Sequence, residues 1–397
     1  MDNKKLTGAP GRGKRSLVTI MMIALTLGCH KTKVDEKDLR DFKEVVLVAN
    51  EASYKPKTMV DPTLINAFGI AWSPGGTAWV NSVGGHVSEL YTSEGAFVRS
   101  GVKIPSPTEK TGGFPCGIVF SGGMGFNLAN GNGATFLFTG FDGVLSGWNG
   151  GDSAVKIKAP AGASYTGLAI GSSGGQNFIY AANFGLKKID VWDTHFNLVR
   201  MTFKDPTLPE EYSPYNIQAV GNSLFVMYAK LDTVTGDPGK GHGIAGAGLG
   251  FVSVFNMDGS FVKRFASRGT LNIPWGVTMA PENWLDDKDL GNGGYATTST
   301  TSLLPNTGSD VGGGGSPHEE KGPVILVGNF GDGRINVFNT DGNYLGQLQS
   351  KNQPIVIDGL WALSFPPSSA GIDPGRLYFS AGPDGETDGL FGYLIKQ

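Results

Sequence analysis

Residues 323–348 read PVILVGNFGDGRINVFNTDGNYLGQL, and their apolar pattern predicts three short strands. Val324 to Val327 is an unbroken apolar run, the pattern of a strand buried on both faces. Asn329-Phe330-Gly331-Asp332-Gly333 supplies a reversal, because Gly and Asp tolerate the backbone angles of turns. Ile335, Val337 and Phe338 form a second β-rich run. Asp341-Gly342 is a hairpin signal, and Tyr344, Leu345 and Leu348 start the return strand. Such a meander cannot bury its own faces, so it needs neighbours, and the chain contains copies of it. They are Ala78 to Arg99, Phe136 to Trp148, Ile179 to Arg200, Gly250 to Ser267 and Leu377 to Leu394.

A further strand precedes each copy. Phe68-Gly69-Ile70, Cys116-Gly117-Ile118, Thr166-Gly167-Leu168 and Trp275-Gly276-Val277 share a glycine; Asn216-Ile217-Gln218 and Trp361-Ala362-Leu363 lack it. With Ile217 set at the glycine position, successive copies are 48, 50, 50, 59 and 86 residues apart. A four-strand unit recurring at roughly 50 residues is the period of a propeller blade. The chain is therefore predicted to be all-β, a six-bladed β-propeller with four-stranded blades. Two β-sandwiches would not sustain that period. Val45-Val46-Leu47-Val48 stands alone before the first unit, and a ring must not leave open edges. This N-terminal strand is expected to close the last blade.

The predicted ring is residues 44–397, with a low-complexity insert at 291–322, rich in Gly, Ser and Thr, between the first two strands of blade five. A second long loop, 232–248, lies between strands two and three of blade four and carries His242. Loops of that kind share one rim, the upper face, with the links that lead into each first strand. The insert belongs to the opposite rim.

The N-terminus changes the picture of the whole. Lys4, Lys5, Arg12, Lys14 and Arg15 precede an apolar core from Leu17 to Leu27, too short for a permanent span and suited to an export signal. Residues 1–28 are read as a signal peptide of lipoprotein type. Cys29, just after Gly28, is the candidate lipid acceptor; an ordinary cleaved signal with an incidental Cys is the alternative. Residues 29–43 are densely charged and read as a solvated tether. The expected location is outside the cytoplasmic membrane of a bacterium, lipid-anchored in the envelope or secreted. Of 32 basic and 35 acidic residues, the signal removes five and one, leaving a net charge of −7. That balance disfavours nucleic acid as a partner and leaves the lipid as the membrane contact. Cys116 is then alone and reads as a small buried hydrophobe.

Candidate chemistry gathers on the upper face. Asn66, Asn216, Asn272 and Asp358 lie where links enter blades; Asn81, Asp142, Asn183, Asn329, Asp332 and Asp384 lie in the turns after second strands. A ring of amide and carboxylate oxygens suits Ca²⁺, with Asn183, Asn216, Asn329 and Asp358 as candidate ligands. Asn and Asp are equally the ordinary residues of turns. Asn66, Asn81, Asn272, Trp275, Trp361 and His242 are candidate binding residues; the two tryptophans serve either a carbohydrate or lactone pocket or packing between blades. His86 and His195 lie in turns, and no two histidines are spaced as metal ligands.

Asn66-Ala67-Phe68-Gly69-Ile70-Ala71, Asn272-Ile273-Pro274-Trp275-Gly276, Val327 to Gly333, Ile357-Asp358-Gly359-Leu360-Trp361 and the stretch from Ala381 to Gly392 resemble a family of exported bacterial proteins. That family is related to the NHL-repeat and gluconolactonase-like propellers. The resemblance covers residues 45–396, departs at the insert, and implies fold and export without a catalytic assignment. Two functions remain open: a binding module for a surface protein, glycan or small molecule, or a Ca²⁺-dependent hydrolase of lactone or ester type.

Overall fold

The computed structural model describes residues 1, 34–122, 125–232, 243–282, 284–286 and 321–397. Six sheets form a ring, as the period predicts. Blade one is Ala67–Trp72, Ala78–Ser82, Val87–Tyr91 and Phe97–Lys103, from the axis outward. Blade two is Pro115–Phe120, Phe136–Gly140, Leu145–Trp148 and Val155–Lys158; blade three is Tyr165–Ser173, Gln176–Asn183, Lys188–Asp193 and Leu198–Val199. Blade four is Tyr212–Val220, Ser223–Lys230, Gly250–Asn256 and Phe261–Ser267; blade five is Pro274–Met279, Val324–Asn329, Ile335–Asn339 and Tyr344–Gln347. Blade six takes Leu360–Ser364, Leu377–Ala381 and Leu390–Lys396 from the C-terminus, and Phe42–Ala49 from the N-terminus. The closing strand runs antiparallel to the last one, from Phe42 opposite Lys396 to Ala49 opposite Leu390. Met59–Val60 then adds a short parallel partner outside it.

The first strand of every blade begins with a β-bulge. In blade two the register steps from Pro115–Gly140 to Gly117–Thr139, and in blade three from Tyr165–Asn183 to Gly167–Ala182. In blade four it steps from Pro214–Tyr228 to Asn216–Met227. Asn216, not Ile217, therefore occupies the glycine position, a correction of one residue to the repeat alignment. The bulge leaves one residue out of the ladder, and a bulge re-aims such a side chain. Those residues include Phe68, Cys116, Thr166, Tyr215, Trp275 and Trp361, none more than 4% exposed. The glycines beside them let neighbouring first strands approach. A Cβ on Gly69 would stand 2.3 Å from the Cys116 carbonyl oxygen, and one on Gly167 would stand 2.0 Å from Asn216 Oδ1.

The expected tether, 29–43, is part of the ring from about residue 35 onward. Glu36–Leu39 forms a 3-10 turn whose Leu39 is buried. Asp38 accepts a 2.8 Å ion pair from Lys321, and Phe42 packs against Trp284 at 4.9 Å between ring centroids. Val34, Leu39 and Phe42, which pack into the core, rather than the charge density, decide where the fold begins. The signal, Cys29, His242 and residues 291–320 of the insert lie outside the described residues.

Candidate functional site

The six bulges converge on the axis and close one end of the channel. Phe68, Cys116, Tyr215, Trp275 and Trp361 form one buried cluster with Val83, Phe184, Leu231 and Ile273. Trp361 is sandwiched between Phe68, at 3.8 Å, and Phe330, at 3.9 Å between centroids. Trp275 meets both Phe68 and Trp361 edge-on and donates its indole N–H to the Thr166 carbonyl across the axis at 2.9 Å. Below this plug a cavity of 210 Å³ runs toward the lower face, lined by Ile70, Trp72, Ile118, Phe120, Leu168 and Gln218 among others. Trp275 borders its inner end. The two tryptophans are thus interior walls rather than a surface pocket, because the bulge turns them inward.

The predicted asparagines are fasteners. Asn81 donates to the carbonyls of Cys116 (3.1 Å) and Gly117 (3.3 Å) in the next blade. Asn183 Oδ1 accepts from the backbone N–H of Ser164 and Leu186, each at 3.2 Å, and its amide donates to Asp190 at 2.8 Å. Asn216 donates to the Trp275 carbonyl at 2.8 Å and accepts from the Ile217 N–H at 2.8 Å. Asn329 donates to the Thr270 carbonyl (2.7 Å) and to Asp332 (3.0 Å), and accepts from the Asn272 N–H (3.2 Å). Asn272 accepts from the Gly246 N–H at 2.7 Å. Asp358, exposed in blade six, accepts from the Asp384 N–H at 3.1 Å. A cation held by Asn183, Asn216, Asn329 and Asp358 would have to share oxygens that already accept backbone N–H bonds. Among the described residues, no three His, Cys, Asp or Glu side chains group as metal ligands.

A carboxylate that the repeat does not announce sits over the plug. Pro383 to Asp388 replaces the Asn-Phe-Gly turn in blade six, and Asp384, Gly385 and Glu386 have φ of 53°, 64° and 71°. Two of these are non-glycine residues in the left-handed region, a conformation kept only where the surroundings impose it. Asn66, itself at φ 49°, donates to Glu386 at 2.7 Å, and its oxygen accepts from the Trp361 indole at 2.8 Å. Asn66 thereby ties the carboxylate to the aromatic stack. Burial pushes the Cys116 thiol well above its ordinary value, and the nearby charges of Asp142 and Glu386 push the same way. Burial raises the Tyr215 phenol too, with Glu386 adding to it. Cys116 is therefore held as a neutral thiol and is no nucleophile. Burial also raises Asp142, against hydrogen bonds from backbone N–H groups and the charge of nearby His86.

The upper centre is accordingly an aromatic floor with carboxylates above it. Phe330 is half-buried, Glu386 is near enough for its charge to act on Cys116 and Tyr215, and Asp358 and Asp384 are exposed at the rim. Asp388 is fixed beside them by Tyr54 (2.7 Å) and Asn50 (2.8 Å). The sequence signal for Glu386 is the acidic run Asp384-Gly385-Glu386 at a place where the other blades carry Asn and Phe.

No family model matches the chain. "Uncharacterized protein L690" of Acanthamoeba polyphaga mimivirus is 36% identical over 240 residues, 59% of this chain and 52% of that protein. The chain thus spans about half the length of that relative. "Uncharacterized protein R648" of the same virus is 30% identical over 363 residues, 88% of this chain and 79% of R648. Among solved structures, a gluconolactonase of Xanthomonas campestris superposes with a TM-score of 0.44 at 14% identity, covering 84% of this chain and 86% of that one. The bacterial family expected from the sequence is corrected by the viral source of these relatives. The chain belongs to the family of the mimivirus protein R648.

Proposed function

We propose that this propeller is a recognition module whose upper face receives a cationic group, a Lys or Arg side chain of a partner protein. The observation that carries the reading is Glu386, held by Asn66 at 2.7 Å above the stack of Phe330, Trp361 and Phe68. A carboxylate beside an aromatic face is the pairing that binds a cation, through charge and through the ring quadrupole together. Asp358 and Asp384 at the rim extend the negative field and favour encounter with a basic surface. Residues 1–28 serve export in this reading. With viral relatives, a bacterial lipid-transfer machinery no longer follows for Cys29.

The test is fluorescence anisotropy with labelled octaarginine, against the wild type and Glu386→Gln. Binding is expected at low salt, weakening as salt rises, and about tenfold weaker in the variant, or ~1.4 kcal/mol. Equal binding of labelled octaglutamate, or no effect of the substitution, would overturn the reading. Cation-dependent turnover of a lactone or ester panel, lost in Asp358→Asn, would replace it with the hydrolytic function.

A further inference from the structure

Blade one contains a buried acid pair away from the upper centre. Glu89 and Asp61 are 4% and 8% exposed, and Tyr91 is fully buried. Thr63 Oγ lies 2.6 Å from Asp61 Oδ1 and 2.7 Å from Glu89 Oε1. A hydroxyl carries one proton and can donate it to one acceptor. Two ionised carboxylates cannot both be satisfied by it, so the second contact needs a proton of its own. Asp61 already accepts from the Tyr91 hydroxyl at 2.8 Å and from the Thr63 N–H at 3.0 Å. The negative charge belongs on Asp61. Glu89 then carries the proton and donates it to Thr63 Oγ, which donates to Asp61.

We propose that this chain, Glu89 to Thr63 to Asp61, is an acid-held latch that fastens the N-terminal closing segment to blade one. Its place in the fold gives it that role. Asp61 follows directly on Met59–Val60, which pair with the closing strand, and the Asp61 N–H donates to the Ala49 carbonyl at 2.8 Å. Thr63 is exposed, so the proton exchanges with solvent through one residue of outer wall. Among the described residues, no cation of the packed elements faces Glu89. On the outer strand Gly101 lies against it, where a Cβ would stand 2.6 Å from Oε2. Arg99 turns to Asp152 in blade two at 2.7 Å, and Lys103 is exposed. Lys57, ahead of the link, pairs with Glu94 at 3.3 Å.

Burial raises the Glu89 carboxyl above its ordinary value more than the Thr63 hydrogen bond lowers it, and Asp61 adds to the rise. A folded value above the unfolded one fixes the sign. The latch contributes fully below the ordinary carboxylate range and is lost as pH climbs through the folded value. Loss of the proton leaves two buried carboxylates sharing one hydroxyl, and the link at residues 61–65 is released.

The experiment follows the infrared band of a protonated carboxylic acid, and the melting temperature, across pH in the wild type and Glu89→Gln. The glutamine amide donates to Thr63 Oγ at every pH. The wild type is expected to show the acid band above the ordinary carboxylate range and to lose melting temperature as it disappears. The variant is expected to lack the band and to hold its melting temperature flat. If the variant does not fold, hydrogen exchange of the Thr63 and Ile65 amides in the wild type decides. Their exchange should rise with pH beyond the intrinsic base-catalysed increase. Absence of the band in the wild type, a parallel pH profile in the variant, or purely intrinsic exchange would each overturn the latch.

Discussion

Asn81 shows how a polar residue at the rim holds the ring. Its amide faces two backbone carbonyls of the neighbouring blade, and the side chain is fully buried. Asn81→Asp turns a donor into an acceptor aimed at acceptors. We expect a loss of about 1–3 kcal/mol, larger than that of Asn81→Ala, in urea unfolding followed by circular dichroism. Equal losses would mean that the introduced acceptor costs nothing beyond the lost amide donor. The sequence makes the position legible, since Asn81, Asn183 and Asn329 recur at the same turn. It does not make the partner legible, because Cys116 and Gly117 lie 35 and 36 residues away. Glu386 is hidden for a related reason: it stands where the repeat is broken, and repetition was the signal.

At the scale of the strand, two devices build the molecule. One is the bulge at each first strand, which turns a side chain toward the axis. Periodicity cannot show it, because Cys116, Thr166 and Trp361 share no chemistry and the extra residue merely shifts the count. Blade four also lacks the glycine that follows this residue in most blades, which is why Asn216 falls one place from where alignment sets it. The other device is the closing strand, visible as an isolated apolar run before the first blade. It covers Phe391 and Leu394 in the last strand and buries its own Leu47 and Val48. A chain that begins at residue 50 leaves blade six with three strands and a bare edge. We expect it to lose its cooperative thermal transition and to aggregate, whereas a chain beginning at residue 34 melts in one step by differential scanning calorimetry.

For the whole molecule, the ring and its blade count are readable from spacing alone, while the open end of the channel is not. Polar residues crowd the upper face in sequence, yet that end is filled by aromatic side chains and the cavity opens below. The same engagement of asparagine oxygens bears on calcium. With Asn183, Asn216 and Asn329 accepting backbone N–H groups, millimolar Ca²⁺ added after chelator is expected to leave the melting temperature unchanged. A rise corresponding to about 2.7 kcal/mol, the effect of a ligand at a hundred times its dissociation constant, would instead show that the folded ring binds the cation.

The pairing of Phe42 with Lys396 has a mechanical consequence. The first residue of the closing strand and the end of the chain lie side by side, on neighbouring strands that run in opposite directions. Heat must disrupt this seam together with the blades packed against it. Tension applied between the two termini acts across the strands and peels them one rung at a time, from the Phe42 end toward Ala49. Resistance to heat and resistance to pulling are thus set by different contacts in this ring.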